Sequence, residues 1–359
     1  MNPARAPRDR RSDARLLVVD PTTATWTDGR AEDLPSLLRP GDLLVVNDAA
    51  TLPASLSGSG PTGQQLELRL VGPAQSQPEH WQAVLFGAGD WRTATEARPT
   101  PAVLTAGDRV ELGPALGATV VAVSSVSPRL VTIEFDQRGA ALWAALYEKG
   151  RPIQYSYLRD ELALWSVQTV YGARPWAAEM PSAGRPLSWE ILLALRRRGV
   201  ELCWLTHAAG LSSSGDPALD QALPLAERYE LPDTTVAAIV RARRRGGRII
   251  AVGTTVVRAL EGAERNARAA GAAPGTLHAG GGWTGLVLDE QTRLAVVDGL
   301  LTGMHGPGES HFKLLSAFAP PSLLKAAWDR AGELGYLCHE FGDLCLVQPA
   351  GRVGEGQVV

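Results

Sequence analysis

Short apolar runs and helical patterns alternate through both ends of the chain. Each run is typical of a buried strand that ends in polar or turn-forming residues. The runs are "RLLVVD" from Arg15, "DLLVVND" up to Asp48, "VELCWLTH" up to His207 and "RIIAVG" up to Gly253. Helices with basic last turns precede the last two runs, the first capped by Ser188, and a third helix is predicted from about Thr255 to Ala270. This alternation predicts an α/β layer with crossover connections.

Between about Gln64 and Phe135 the pattern changes to alternating apolar and polar residues. The segments, among them "QLELRLVG" and "LVTIEF", are separated by Gly, Pro and Asp turns. Short, evenly spaced strands of this kind favour a small barrel or sandwich. Because the block lies between two α/β segments, we predict an α/β (α+β) main domain formed by residues 1–56 and 150–359. An antiparallel β-barrel domain, residues 57–149, is predicted to be inserted into it.

Composition and charge narrow the class of protein. The 359 residues are 45% hydrophobic and 20% charged, with a formal net charge of -3, so any RNA contact has to come from a local basic patch. An odd number of cysteines in a long chain favours a reducing cytoplasm, with Cys203, Cys338 and Cys345 as core thiols. No apolar run follows the arginine-rich first residues, which indicates neither a signal peptide nor a membrane span. We expect this arm to be a frayed tail.

The stretch "RIIAVGTTVVRALE" places Gly253, Thr254 and Thr255 between a strand and a helix. Free backbone N–H groups and two hydroxyls at the positive end of a helix suit an anionic group such as a carboxylate. Arg258, one turn into the helix, could add a charge on the same side. The plainer alternative is a helix cap at Thr255 and a solvated Arg258, and the isolated motif favours that alternative. The stretch matches neither a P-loop nor a dinucleotide fingerprint.

Two further groups of polar residues are candidates for chemistry. Asn47 and Asp48 end a strand where open α/β sheets bind ligands, although an Asx turn explains them equally well. His305 and Glu309 lie in a Gly- and Pro-rich loop and could act as acid and base. A metal is disfavoured, because His305 and His311 lack a recognised ligand spacing and "CHEFGDLC" fits no zinc pattern.

Two arginine runs end predicted helices, at 196–198 and 241–245. Cations complement the dipole at a helix C-terminus, which explains both runs. If the two helices faced the same side, the runs would form a patch that could follow the phosphates of an RNA.

In these residues and in the order of its motifs, the chain resembles the S-adenosylmethionine:tRNA ribosyltransferase-isomerase family of queuosine biosynthesis. The resemblance covers nearly the whole chain from Arg15. It rests on "PGDLLVVND…LPA" (40–54), "QTVY" (168–171), "PSAG…LL…L…GVE" (181–201), "AVGTTVVRALE" (251–261), "VVDGLLTGMHGPGES" (296–310), "LLSAFA" (314–319) and "FGD" (341–343).

The resemblance implies an α/β domain that carries a β-barrel domain. It implies transfer and isomerisation of the ribosyl moiety of S-adenosylmethionine onto a 7-deazaguanine in tRNA, with release of adenine and methionine and without a metal. The implied proton-transfer residues are His305 and Glu227. The implied substrate-binding residues are Asn47, Asp48, Gln168, Tyr171, Ser182, Gly184, Gly253, Thr254, Thr255, Arg258 and Ser310. We expect a cytoplasmic monomer or weak homo-oligomer whose partners are S-adenosylmethionine and tRNA.

Several polar positions depart from the family pattern. Ala50 and Ser55 stand where the family has arginines, and Pro186 stands where it has a histidine. The family's T-L-H-V-G-x-G-T-F becomes "THAAGLSSS", which shifts the histidine to His207 and loses the glycine, threonine and phenylalanine. Because the departures concentrate in site segments, two alternatives stay open. One is a paralogue that uses a small nucleoside or amine acceptor, or cleaves S-adenosylmethionine. The other is a degenerate homologue that binds a nucleoside without turnover.

Overall fold

The computed structural model describes residues 1–114 and 116–348. The strands are β1 Asn2–Pro3, β2 Arg15–Asp20, β3 Thr25–Arg30, β4 Leu43–Asn47, β5 Ala49–Thr51, β6 Ser55–Ser59, β7 Gln65–Pro73, β8 His80–Phe86, β9 Arg109–Glu111, β10 Gly117–Val123, β11 Leu130–Phe135, β12 Arg174–Ala177, β13 Glu201–His207, β14 Glu227–Leu231, β15 Ile249–Val252, β16 Gly280–Thr284, β17 Gly299–Gly303, β18 Leu337–Cys338 and β19 Leu344–Val347. The α-helices are α1 Leu34–Leu37, α2 Gly139–Lys149, α3 Trp189–Arg197, α4 Pro217–Ala222, α5 Asp233–Arg244, α6 Thr254–Ala269, α7 Ser310–Leu315 and α8 Pro321–Glu333.

The main sheet has the strand order β16-β14-β13-β4-β15-β17-β19-β2-β3. Its centre, β13-β4-β15-β17, is parallel. All five residues of β4 are buried because helices cover both faces, which is why this strand reads as a continuous apolar run. Leu43 and Val45 pack in the core that contains α5, α6 and α8, and Leu44 and Val46 pack in the core that contains α3.

The second large β-structure is a closed antiparallel barrel with the strand order β10-β11-β8-β7-β6-β9. The alternating segments of the sequence build it, since every second side chain points into one barrel core. Helix α2 packs Leu142 and Leu146 against that core. The predicted fold class, an α/β sheet with a small β-barrel, is confirmed. The domain limits at 57 and 149 stay a prediction.

The expectation of a frayed N-terminal arm is wrong. Strand β1 pairs in parallel with β18, and Ala4 is buried. Arg8 forms a 2.6 Å ion pair with the buried Asp343. The partners lie more than 330 residues away in sequence, so no local pattern predicts the pairing.

The cysteines are core thiols, as predicted. Cys203, Cys338 and Cys345 are buried, unbridged members of one apolar cluster. Cys345 lies in the last strand and Cys338 in the short β18. Among the helices of the described residues, none has the length and apolarity needed to cross a membrane.

Candidate functional site

The carboxyl ends of four parallel strands meet at one edge of the main sheet. Strands β13, β4, β15 and β17 end there at His207, Asn47, Val252 and Gly303. Open α/β sheets bind their ligands at this edge because the loops and helix N-termini converge on it. The predicted site residues of these four segments therefore belong to one region.

Helix α6 begins at this edge. Gly253 has φ of 90°, a left-handed value that strains any residue with a Cβ, and it turns β15 directly into the helix. Thr254 is buried at the first helical position, and Thr255 Oγ1 lies 3.4 Å from Asn47 Nδ2. The first N–H groups of a helix have no partner within it, so the end of α6 offers donors to an anion.

The two polar residues after β4 have structural partners. Asn47 joins β4 to β13, because its amide donates to His207 O at 3.0 Å and accepts from His207 N at 2.9 Å. Asp48 accepts a 2.5 Å hydrogen bond from Thr206 Oγ1, and burial raises the pKa of its carboxyl. Asn47 and Asp48 thus link the end of β4 to the end of β13. Their direct contact with a substrate stays a prediction.

Glu227, Arg258 and His207 form a buried cluster at this edge. One Glu227 oxygen accepts a 2.7 Å hydrogen bond from Gly210 N, and the other forms an ion pair with Arg258 Nη1. His207 Nε2 lies 3.3 Å from the same Glu227 oxygen, without a hydrogen bond. Burial raises the pKa of Glu227, although Arg258 opposes the shift. Burial, together with Arg258, lowers the pKa of His207 well below its usual value, so this imidazole is neutral at pH 7.

The cluster changes the interpretation of Arg258. This side chain is not solvated: it is buried, Glu227 compensates its charge, and its Nε donates to Leu286 O at 3.0 Å. Its Nη2 is buried without a partner among the described residues. Arg258 can therefore donate a hydrogen bond to a ligand through Nη2, but Glu227 already compensates its charge.

The loop after β17 brings two histidines together. The His305 ring stacks on His311 at 4.6 Å with an interplanar angle of 15°. His305 Nε2 lies 3.1 Å from Thr302 Oγ1, and Nδ1 lies 3.4 Å from Glu309. Burial opposes ionisation of Glu309, but His305 outweighs it and lowers the pKa of this carboxyl. A histidine held between a hydroxyl and a carboxylate is a suitable proton-transfer group.

His305, Glu309 and His311 are also close enough together to be considered as metal ligands. The ligand atoms of His305, Glu309 and His311 lie within 4.8 Å of one another. An imidazole binds a metal through a lone pair in its ring plane, so two parallel stacked rings direct their lone pairs side by side rather than toward one ion. This arrangement favours proton transfer over metal binding. That the reaction needs no metal stays a prediction.

His305 and Glu227, the predicted proton-transfer pair, belong to separate clusters. His305 contacts Thr302, Glu309 and His311, whereas Glu227 contacts Arg258 and Gly210. Arg258 and His305 both lower the pKa of His311. The proton-transfer roles of His305 and Glu227 stay predictions.

The remaining predicted residues mostly shape the site. Gln168 pairs its side-chain amide with the Thr51 backbone through two 2.9 Å hydrogen bonds. Tyr171 packs so closely on Gly184 that a Cβ there would overlap the tyrosine hydroxyl, which explains this glycine. Ser182 begins the short 3-10 helix that contains Gly184. Ser310 is exposed at the first position of α7. Their roles in binding stay predictions.

An aromatic stack was missed from the sequence. Tyr155 and Tyr157 have nearly parallel rings 6.0 Å apart, and Tyr157 stacks on His339 at 4.5 Å. Each tyrosine hydroxyl donates to a partly buried carboxyl, Tyr155 to Glu179 and Tyr157 to Glu340, and desolvation raises the pKa of both carboxyls. The alternation in "YSY" places both rings on one side of the chain and is the signal that could have indicated them.

The stack lies close to the histidine loop. Glu309 favours the charged form of His339 and His305 disfavours it, while burial lowers the pKa of His339 overall. An aromatic surface next to a proton-transfer group can accommodate a positively charged sulfonium through its π faces.

The two arginine runs do not form one patch. Helices α3 and α5 pack on opposite faces of the main sheet. Both runs end the helix that precedes a parallel strand, so they lie at the amino edge, opposite the candidate site. Arg241 forms an ion pair with Glu201, and Arg243 donates to the Gly275 carbonyl at 3.0 Å.

The shifted pKa of His311 predicts a loss of stability in acid. Burial, together with His305 and Arg258, lowers the pKa of His311 to about 3, while Glu309 opposes the shift. Between pH 6.5 and 3 the unfolded chain binds a proton that the folded chain does not. The free energy of unfolding therefore falls as pH falls, by up to about 1.4 kcal/mol per pH unit for this group.

The variant His311→Phe tests this in urea titrations at pH 7.0, 5.5 and 4.5. We expect its free energy of unfolding to decline less with acid than that of the wild type, by on the order of 1–2 kcal/mol over this range. The matched control is His278→Phe at an exposed histidine, which should retain the wild-type decline. Parallel declines for His311→Phe and the wild type would contradict the assignment.

Known proteins match nearly the whole chain. The family model described as "Queuosine biosynthesis protein" matches residues 2–347. The S-adenosylmethionine:tRNA ribosyltransferase-isomerase of Acidithiobacillus ferrooxidans is 37% identical, and the match covers 97% of this chain and 95% of that protein. The enzyme of the same name from Thermus thermophilus is 35% identical, with coverage of 95% and 93%.

A solved structure supports the fold. The crystal structure of the S-adenosylmethionine tRNA ribosyltransferase from Thermotoga maritima matches with a TM-score of 0.51 and 23% identity. The match covers 96% of this chain and 95% of that one. At this identity the likeness concerns the fold alone.

Proposed function

The chain belongs to the queuosine biosynthesis protein family, and from this premise we propose that it is an S-adenosylmethionine:tRNA ribosyltransferase-isomerase. It transfers and isomerises the ribosyl moiety of S-adenosylmethionine onto a 7-deazaguanine in tRNA. The observation that carries the proposal is a relative of that name that is 37% identical over almost the full length of both chains. A cytoplasmic location and a monomeric or weakly associated state are part of the proposal.

The proposed chemistry sets three requirements for the protein, the first of which is a base. This base removes a proton next to the sulfonium, the aminomethyl group of the deazaguanine attacks the ribose, and adenine and methionine leave. The site must also anchor the methionine carboxylate and tolerate the sulfonium charge.

We assign the carboxylate to the N-terminus of α6. Thr254 and Thr255 supply backbone N–H groups and hydroxyls there, and Gly253 permits the sharp entry into the helix. Arg258 adds its free Nη2. The family membership reverses the preference for a plain helix cap, because this motif is among the segments that carry the resemblance.

We assign the proton transfer to His305. Its contact with Glu309 orients the ring and favours the imidazolium that forms when it accepts a proton. The stack of Tyr155, Tyr157 and His339 is the proposed wall beside the sulfonium. For Glu227, which the sequence indicated as a proton-transfer residue, we propose a positioning role instead. It orients Arg258 and compensates its charge.

A release assay tests the function. The protein is incubated with S-adenosylmethionine and an RNA anticodon stem-loop that carries 7-aminomethyl-7-deazaguanine, and adenine and methionine are measured by chromatography. The control stem-loop carries guanine at that position. We expect equal amounts of adenine and methionine only with the aminomethyl stem-loop.

The other outcomes contradict the proposal in distinguishable ways. Release without RNA would indicate a small-molecule acceptor or simple cleavage. Binding of S-adenosylmethionine without release under any condition would indicate a homologue that binds without turnover.

A further inference from the structure

The strands β13, β14 and β16 at one end of the main sheet have two unlike faces. On one face Cys203, Leu205, Tyr229 and Leu231 are buried in the core that contains α5 and α6. The alternate side chains point to the opposite face, where Trp204 remains 50% exposed. A half-exposed aromatic side chain on an open sheet indicates a binding surface where other aromatic and charged groups extend it into a patch.

Aromatic rings and arginines dominate this second face. Arg228 and Trp283 are directly opposite each other on β14 and β16, so they lie on the same side as Trp204. The Arg228 guanidinium stacks 4.1 Å over the ring of Trp176 in β12. We call Trp176, Trp204, Arg228 and Trp283 the tryptophan face.

A groove continues the tryptophan face toward the end of α3, at the amino edge of the sheet. It has a volume of about 480 Å³ and lies between the end of α3 and β13, with Arg196 and Trp204 among its lining residues. On the exposed side of α3, Trp189 is 55% exposed and Leu193 is 47% exposed. The groove thus adds a second arginine and further apolar surface.

The charge of this surface is positive. Arg196 and Arg228 form no ion pair with any described residue, whereas Arg174 is neutralised by Glu230 at 2.7 Å. Two uncompensated guanidinium groups beside the exposed ring of Trp204 and the partly exposed rings of Trp176 and Trp283 complement a polyanion that also has flat aromatic groups. A symmetric dimer through this face would instead bring like arginines of two copies together, which disfavours self-association.

The tryptophan face adjoins the candidate site. Thr206 on β13 bonds to Asp48, and the Asp48 carbonyl accepts from Ala173 N at 2.8 Å, next to β12. Trp204 lies three residues before His207, where β13 ends at the carboxyl edge, roughly 10 Å along the strand. An RNA whose reacting base occupies the carboxyl edge can therefore reach this face with neighbouring nucleotides.

We propose that the tryptophan face, with Arg196, is an RNA-docking surface on which unpaired bases of the substrate RNA stack and its phosphates are held. The proposal rests on the proposed function, because that function makes RNA the acceptor. Stacking on aromatic rings and contacts from arginines are the usual means by which proteins bind single-stranded loops.

Two substitutions test the surface by different physical effects. The probe is a fluorescent RNA anticodon stem-loop that carries 7-aminomethyl-7-deazaguanine, and its Kd is measured by anisotropy from 50 to 200 mM salt. Trp204→Ala should raise the Kd about 10-fold at every salt concentration, because a stacking contact is lost. Arg196→Ala should raise the Kd most at low salt and reduce the slope of log Kd against log salt by about one. In the release assay, both losses should appear in the KM for the stem-loop.

Matched controls lie outside the surface. Trp165 is 77% exposed but does not belong to the tryptophan face, and Arg265 is exposed on α6, which packs on the opposite side of the sheet. Trp165→Ala and Arg265→Ala should bind the stem-loop like the wild type. Because Trp204 and Arg196 are exposed, their substitution should leave the Tm close to that of the wild type.

The outcomes separate this proposal from the proposed function. If the wild type releases adenine only with the stem-loop but Trp204→Ala and Arg196→Ala bind it normally, the docking surface is wrong and the function stands. If Trp204→Ala changes the oligomeric state in light scattering and not the RNA affinity, the face is a self-association surface. If the wild type neither binds the stem-loop nor responds to it, both proposals fail.

Discussion

Replacing His305 with Ala is expected to lower kcat for adenine release by about 10²–10⁴-fold, the usual contribution of a positioned acid or base. The structure supports a direct role because His305 lies between Thr302 and Glu309 at the carboxyl edge. The measurement is single-turnover release with saturating S-adenosylmethionine and stem-loop, so that binding does not limit the rate.

A second variant separates chemistry from structure. Glu309→Gln retains the size of the side chain but removes the charge beside the His305 ring, so it should lower the single-turnover rate less than His305→Ala does. His278→Ala, at an exposed histidine, is the control. A His305→Ala protein with wild-type single-turnover rates would remove His305 from the mechanism.

Replacing Glu227 with Leu is expected to destabilise the protein by about 3–5 kcal/mol, because it leaves the buried Arg258 without its counter-charge. Glu227 also accepts from Gly210 N, whose hydrogen bond is lost in the same variant. The free energy of unfolding is measured by urea titration at pH 7. S-adenosylmethionine binding should weaken as well, since Arg258 loses the contact that holds it in place.

The double variant Glu227→Leu with Arg258→Met is the matched control. Removal of both charges avoids an unpaired ion in the core, so the double variant should be more stable than Glu227→Leu alone. If Glu227→Leu unfolds at the wild-type urea concentration, the pair is not a buried structural contact, and a proton-transfer role for Glu227 becomes the better assignment.

Local patterns predicted most of the fold. Ser188 caps α3 as expected, with its hydroxyl accepting from Ile191 N at 3.5 Å. Helix α6 begins within one residue of the predicted start, immediately after Gly253. These features depend on residues three or four positions apart, so the sequence contains all the information that they need.

Contacts between distant segments were predicted poorly. The N-terminal arm pairs with β18, and Tyr157 stacks on His339, about 180 positions later. The same limit applies to chemistry. Glu227 and His305 were both predicted as proton-transfer residues, but the sequence did not indicate their partners, since Glu227 on β14 contacts Arg258 of α6.

The sequence by itself determined the α/β sheet, the alternating barrel strands, the Gly-Thr-Thr start of α6 and the family, because period, turn chemistry and motif order are properties of the linear chain. Only the tertiary structure decided which polar residues meet. It paired Glu227 with Arg258, placed the two arginine runs on opposite faces of the sheet and left Trp204 exposed beside Arg196. The physical reason is that burial and charge compensation depend on every neighbouring segment, and a sheet brings together strands that are far apart in sequence.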